Sequence, residues 1–178
     1  MRKIIISILL VLTFLCSPAM SETAEDWFKK AVALWDGEKY TAPQKAIEYL
    51  NNAIKLQPDY VDAYYSRGFA YDDLGQYQIA IDDFNEAIRL NPDDAMAYSN
   101  RGKAYAKLGH NQLAIKDFNE AIRLQPDYVN AYNNRGFAYL LQGNKNLGCR
   151  DAQIACELGL CTVLKWAKRK GYCRLFSE

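Results

Sequence analysis

From residue 61 onward, small and apolar residues recur with the spacing of a helix that buries one face. Tyr64, Gly68 and Tyr71 lie four and three apart, with Ala63 beside them and polar residues between. A second stripe follows after Gly75: Ala80, Ile81, Phe84, Ala87, Ile88 and Leu90. The pattern then returns. AYYSRGFAY at 63–71 becomes AYSNRGKAY at 97–105 and AYNNRGFAY at 131–139, with the same interval between successive copies. A fixed period of this length predicts a solenoid of helix pairs, in which each unit leans on its neighbour. Asp59, Asp93 and Asp127 follow Pro58, Pro92 and Pro126 and are expected to N-cap the first helix of each unit. Gly75, Gly109 and Gly143 are expected to end it in the left-handed conformation, and Pro92 and Pro126 to stop the second helix. Gly68 and Ala80 are short where two helices must approach closely.

The stripe extends upstream. Ala46, Leu50, Ala53 and Pro58 fit a further second helix, and its first helix is expected from Ala24 to Trp35, with Trp27 and Ala31 inside. The connection holds about three extra residues in GEKYTAPQ, where Thr41 and Gln44 form a candidate capping box and Pro43 suits a helix start.

These positions resemble a known signature. Tyr64, Gly68, Tyr71, Ala80, Phe84, Ala87 and Pro92 are similar to the tetratricopeptide repeat (TPR), with Tyr64 in place of the usual Trp. Tyr98, Gly102, Tyr105, Ala114, Phe118, Ala121 and Pro126 repeat it in full. A third copy keeps Tyr132, Gly136, Tyr139 and Ala155, then departs, with Gly148 for Ala, Ala152 for Phe and Leu160 for Pro. The resemblance covers roughly residues 23–162. It implies an all-α, right-handed superhelical solenoid of helix-turn-helix repeats with a C-terminal capping helix. The expected segments are a divergent first repeat at 22–60, repeats at 61–94 and 95–128, a degenerate repeat at 129–162, and a capping helix and tail at 163–178.

In this family the first helices line a concave groove that holds ligands. The resemblance places Tyr65, Phe69, Asn100, Lys103, Asn133, Asn134 and Phe137 there. Asn100 and Asn134 match an asparagine that, in the family, often bonds the backbone of an extended peptide; an amide both donates and accepts. The cochaperone form of the groove clamps a carboxylate with several Lys and Arg. Tyr65, Phe69 and Phe137 fall where that set would be needed, so heat-shock-protein binding is not carried over. The mixed groove implies a partly apolar peptide or helix, hence a scaffold or adaptor. A subunit role in an envelope assembly or secretion complex is the nearest alternative.

Cysteine usage adds a constraint at the C-terminal end. Cys149 and Cys156 occupy columns filled by isoleucine in earlier units (Ile115 and Ile122), and Cys161 and Cys173 follow. Trp166 falls one repeat period after Tyr132, and Cys173 one period after Tyr139, so the tail reads as the first helix of a fifth unit, used as a cap. Four cysteines allow three pairings. Cys149 and Cys156 stand about 10 Å apart along one helix, beyond the roughly 7 Å reach of a disulfide. Antiparallel last helices favour Cys149–Cys173 with Cys156–Cys161. A zinc site with the spacing Cys-x6-Cys-x4-Cys-x11-Cys, or a redox-active tail, is the rival reading; neither has a CxxC motif.

Composition bounds the rest. Arg2 and Lys3, the apolar run Ile4 to Leu15 and the small residues to Ser21 predict a signal peptide over 1–21. Export to the periplasm or medium is then expected, with retention of the segment as an anchor the alternative. Without residues 1–21 the chain carries 20 Lys and Arg against 21 Asp and Glu, which argues against nucleic-acid binding. Membrane association is expected only through a retained N-terminal segment or the basic cap, where Lys165, Lys168, Arg169 and Lys170 crowd one helix end. No Walker loop, nucleophile elbow or metalloprotease helix is present, and the lone histidine, His110, lies in a turn. Neither an enzyme, a cofactor, a metal nor a small-molecule substrate is expected. Arg67, Arg101 and Arg135 form one column, and Asp83, Asp117 and Asp151 form another at a constant distance further along. They read either as ion pairs within each unit or as a row of cations for an acidic ligand.

Overall fold

The structure, a computed structural model, describes residues 22–173. Nine helices lie among the described residues: α1 Ala24–Val32, α2 Pro43–Leu56, α3 Val61–Asp73, α4 Tyr77–Leu90, α5 Ala95–Lys107, α6 Asn111–Leu124, α7 Val129–Leu141, α8 Lys145–Glu157 and α9 Thr162–Arg169. They pack as four consecutive pairs, α1 with α2 through α7 with α8, and α9 rests on α7 and α8. Each second helix also packs on the first helix of the next pair, and successive first helices meet, α3 with α5 and α5 with α7. The first helices therefore line one face of an all-α repeat solenoid. The expected signal segment and the last residues of the tail lie outside the described residues. No described helix is long and apolar enough to cross a membrane.

Close approach within a pair depends on missing side chains. A Cβ on Gly102 would stand 2.9 Å from Phe118 Cε1 and 3.1 Å from the Ala114 carbonyl oxygen. Phe118, Ala114 and Ala121 are themselves wholly buried. Gly75, Gly109 and Gly143 end the first helices at φ 71°, 81° and 80°, where a side chain is strained.

The degenerate last pair balances its losses. Ala152 removes the phenylalanine, and Leu140, in the column of Ala106, packs in the same buried cluster and is 5% exposed. Gly148 makes room for it: a Cβ there would lie 2.5 Å from Leu140 Cγ and 2.9 Å from the Gly136 carbonyl oxygen. Gly148→Ala is therefore expected to destabilise by about 1–3 kcal/mol through overpacking, despite the better helix propensity of alanine. Urea unfolding of the two proteins checks this.

Helix starts differ from expectation. The N-caps of α3, α5 and α7 are Tyr60, Asp94 and Tyr128, one residue after Asp59, Asp93 and Asp127. A turn bond from the Tyr60 N–H to the Gln57 carbonyl, repeated from Tyr128 to Gln125, holds Asp59 and Asp127 inside the turn. Only Asp94 caps with its side chain, accepting from the N–H groups of Met96 and Ala97 at 2.9 and 3.1 Å. Thr41 does not cap α2. Its hydroxyl and its N–H both donate to the Leu34 carbonyl oxygen at 2.9 Å, and Pro43 opens the helix after Ala42. The capping box lies instead at Thr23 and Asp26, ahead of α1.

Helix α1 also ends early, at Val32 rather than Trp35. Asp36 accepts from the N–H groups of Glu38 and Lys39 at 2.9 and 2.8 Å, and Gly37 turns the chain at φ 103°. Trp35 and Tyr40 thus bridge as a miniature hairpin. The extra residues serve to bury Tyr40, which is 6% exposed and whose N–H donates to Asp73.

Helix α9 caps the array but leaves the repeat phase. Lys165 falls in the column of Ala63, Ala97 and Ala131, each of them wholly buried, yet Lys165 is exposed. Leu164 is buried in its place. An unpaired lysine is not buried at a helix interface, so α9 presents Val163, Leu164 and Ala167 to α7 and α8 instead.

Candidate interaction groove

The columns of charge resolve into structural junctions. Arg101 donates through Nε and one terminal nitrogen to the two oxygens of Asp117 at 2.8 and 2.7 Å, while its other terminal nitrogen reaches Asn85 of the preceding pair at 2.7 Å. Arg67 joins Asp83 and Asn51, and Arg135 joins Asp151 and Asn119, in the same way. Each guanidinium also lies over a tyrosine of its own helix: Tyr64, Tyr98 or Tyr132. Three cations tied within and between pairs are not a free row for an acidic ligand; they set the spacing of the solenoid.

The residues expected in the groove are already engaged with one another. Asn100 Nδ2 donates to the Tyr65 hydroxyl at 2.7 Å, bridging α5 to α3. Burial, with Tyr128 and Asp94 nearby, pushes the Tyr65 phenol above its ordinary range. Lys103 Nζ lies 2.8 Å from Asp72 Oδ2 and 5.6 Å from the centre of the Phe69 ring. Phe69 in turn meets Trp35 edge-on at 4.9 Å, and Trp35 meets Tyr40 at 5.2 Å. Burial also raises the Asp73 carboxyl above its usual value, although the Tyr40 N–H bond works against it. The N-terminal third of the groove is thus an aromatic wall with bound charges. Sequence reasoning missed Trp35 and Tyr40 there; the Asp-Gly pair between them was the available signal, since it favours a tight hairpin turn.

At the other end the cap enters the groove. Asn133 Oδ1 accepts from the Val163 N–H at 3.4 Å, and the Phe137 ring packs on Trp166 at 5.1 Å, leaving Phe137 37% exposed. Asn134 lies beside Asn133, half-buried. The open part of the groove lies between these ends, where Met96 and Leu141 are exposed with Lys107 and Asn130. His110 sits in a turn near the Tyr105 ring, and among the described residues no His, Cys, Asp or Glu cluster of three could hold a metal ion.

The cysteines are joined as Cys149–Cys173, with Cα atoms 5.6 Å apart, and Cys156–Cys161, with Cα atoms 4.0 Å apart. The first ties the end of α9 to α8; the second closes the turn between them. In this oxidation state none of these four cysteines is left as a thiolate to ligate zinc. Replacing Cys149 and Cys173 by serine is expected to cost about 2–3 kcal/mol by chain entropy. It should also loosen α9 from Phe137, read as a shift in Trp166 emission before global unfolding.

Known proteins match this geometry. A family model described as TPR repeat matches residues 44–75, 72–109 and 108–143, more than half of the chain. Uncharacterized protein MJ0572 of Methanocaldococcus jannaschii is 42% identical over 57 residues; the match spans 32% of this chain and 63% of that protein. A crystal structure of MamA superposes with a TM-score of 0.71 at 30% identity, covering 82% of this chain and 81% of that one. The first TPR of Spaghetti (RPAP3), bound to HSP90 peptide SRMEEVD, superposes at 0.64 with 24% identity over 68% of this chain and 94% of that one. The glycine-to-phenylalanine contacts, the positive-φ helix ends and the matched repeats agree: the chain belongs to the tetratricopeptide-repeat family.

Proposed function

We propose that the chain is a non-catalytic scaffold or adaptor of the cell envelope that holds a peptide or protein segment in its concave groove. The observation that carries this reading is the division of labour along α3, α5 and α7. One face of these helices repeats closely and builds the array. The other varies, offering exposed Met96, Asn130 and Leu141 with the half-buried Asn134. Exposed apolar side chains beside amides suit an extended or helical segment that brings its own backbone or polar groups. A peptide bound to the Spaghetti TPR supports the use of this fold for such ligands. Here the bound lysine and the aromatic wall favour a partly apolar segment over a free carboxylate. Envelope location rests on the opening of the sequence and on paired cysteines, which persist in oxidising compartments.

The test is affinity capture from envelope extract with the parent and a Met96→Glu, Asn134→Ala, Leu141→Glu variant. Met96 and Leu141 are exposed and Asn134 anchors no helix, so the variant keeps the fold. A protein retained by the parent and lost by the variant supports the groove. Equal retention moves the interaction elsewhere and overturns the reading.

A further inference from the structure

In every inner repeat the outward face of the second helix is covered by the next first helix: α2 by α3, α4 by α5, α6 by α7. An arginine marks each junction by donating to Asn51, Asn85 or Asn119 at 2.6–2.7 Å. At α8 the series breaks. Gln153 holds the asparagine column, but its amide donates to Glu157 of its own helix. Arg169 falls one repeat period after Arg135 and is exposed, without a hydrogen-bond partner among the described residues. Helix α9 has eight residues where the inner first helices have thirteen, and it is out of phase. The surface that receives a thirteen-residue helix three times in this chain meets a shorter one at its end.

Among the described residues a cavity of about 1090 Å³ lies between α8 and α9. Its walls include Ile154, Leu164, Tyr172 and the Cys149–Cys173 disulfide. Lys145, Arg150 and Lys168 stand around it, and none has a carboxylate partner among the described residues; Lys145 Nζ lies 5.3 Å from the centre of the Tyr172 ring. Glu157 is the one acidic residue of the lining among the described residues. An apolar floor ringed by three cations that have no carboxylate partner among the described residues complements an apolar stripe flanked by carboxylates. The form of the surface favours a polypeptide over a lipid, because its counterparts in the same chain all receive helices.

We infer that the cavity between α8 and α9 is a second docking site, separate from the concave groove, for an acidic amphipathic helical segment of a partner protein. The side chains of Lys145, Arg150 and Lys168 meet its carboxylates, and Leu164, Ile154 and Tyr172 meet its apolar stripe. The segment lies where the next helix of the solenoid would lie.

Fluorescence anisotropy with the oxidised full chain tests this. The probe is a labelled helical peptide with Leu and Phe on one face and Glu on its flanks. A twin peptide with Lys for Glu, and phosphatidylglycerol vesicles, serve as counter-probes. The acidic peptide should bind, lose affinity as salt rises, and bind at least about tenfold more weakly to Arg150→Glu, Lys168→Glu, as expected when charges across an interface are reversed. Both side chains are exposed, and circular dichroism confirms that the variant folds. The Met96→Glu, Asn134→Ala, Leu141→Glu variant should bind the peptide as the parent does, which keeps this site distinct from the groove. Equal binding to the charge-reversed variant, equal binding of the lysine peptide, binding to vesicles alone, or no binding at low salt would each overturn the inference.

Discussion

Phe118→Ala is expected to destabilise the protein by about 3–5 kcal/mol, the usual cost of emptying a wholly buried phenylalanine site. Phe118 is 0% exposed and sits against Gly102, where a Cβ would stand 2.9 Å from its ring. The helices cannot close the gap, because the Ala114 carbonyl oxygen already stands 3.1 Å from the missing Gly102 Cβ. A solenoid passes stability between neighbours, so the loss should lower the whole urea transition. The last pair shows how such a loss is offset within this chain: Leu140 and Gly148 accompany Ala152. Adding Ala106→Leu and Ala114→Gly to Phe118→Ala copies that arrangement and should restore part of the stability. Failure to restore any would mean that Leu140 and Gly148 do not offset the loss at Ala152.

Asp117→Ala has a comparable expected cost, about 3–5 kcal/mol, because it leaves a charged partner uncompensated in the interior. The side chains of Arg101 and Asp117 are 18% and 6% exposed, and the bidentate bond is joined to Asn85 of the preceding pair. Removing both charges with Arg101→Met and Asp117→Leu should cost far less than either single change, since a well-packed apolar pair often matches a buried ion pair. A double-mutant cycle by thermal or urea unfolding measures the difference. An additive result would mean that the two side chains do not act as a unit.

Much of this architecture was legible in the sequence because repetition exposes it. A residue seen once has many explanations, but Gly, Arg, Asp and Ala at fixed columns in successive units must meet the same neighbours. The helix pairs, their glycine ends and the arginine–aspartate partners follow from that. The parts that escaped are those without a repeat. The Trp35–Tyr40 hairpin occurs once, and its first residue, Trp35, lies where a helix was expected to end. The N-cap positions slipped by one residue because Asp59 and Asp127 are drawn into turns that start at Gln57 and Gln125. The cap kept an echo of the repeat period in Trp166 while its helix rotated, since an exposed Lys165 cannot take the place of a buried alanine. The resemblance is what assigns the groove to the first helices. That Asn100, Lys103, Asn133 and Phe137 would be occupied by Tyr65, Asp72, Val163 and Trp166 depends on side-chain reach between helices, which spacing does not report.

That partners meet the varying face of the first helices is the central claim. Photo-crosslinking in the native host tests it most directly, with a photoreactive amino acid placed at Met96 on the groove and at Glu86 on the outer face of α4. A discrete adduct is expected from position 96 and none from position 86. Adducts only from position 86, or equally from both, would contradict it.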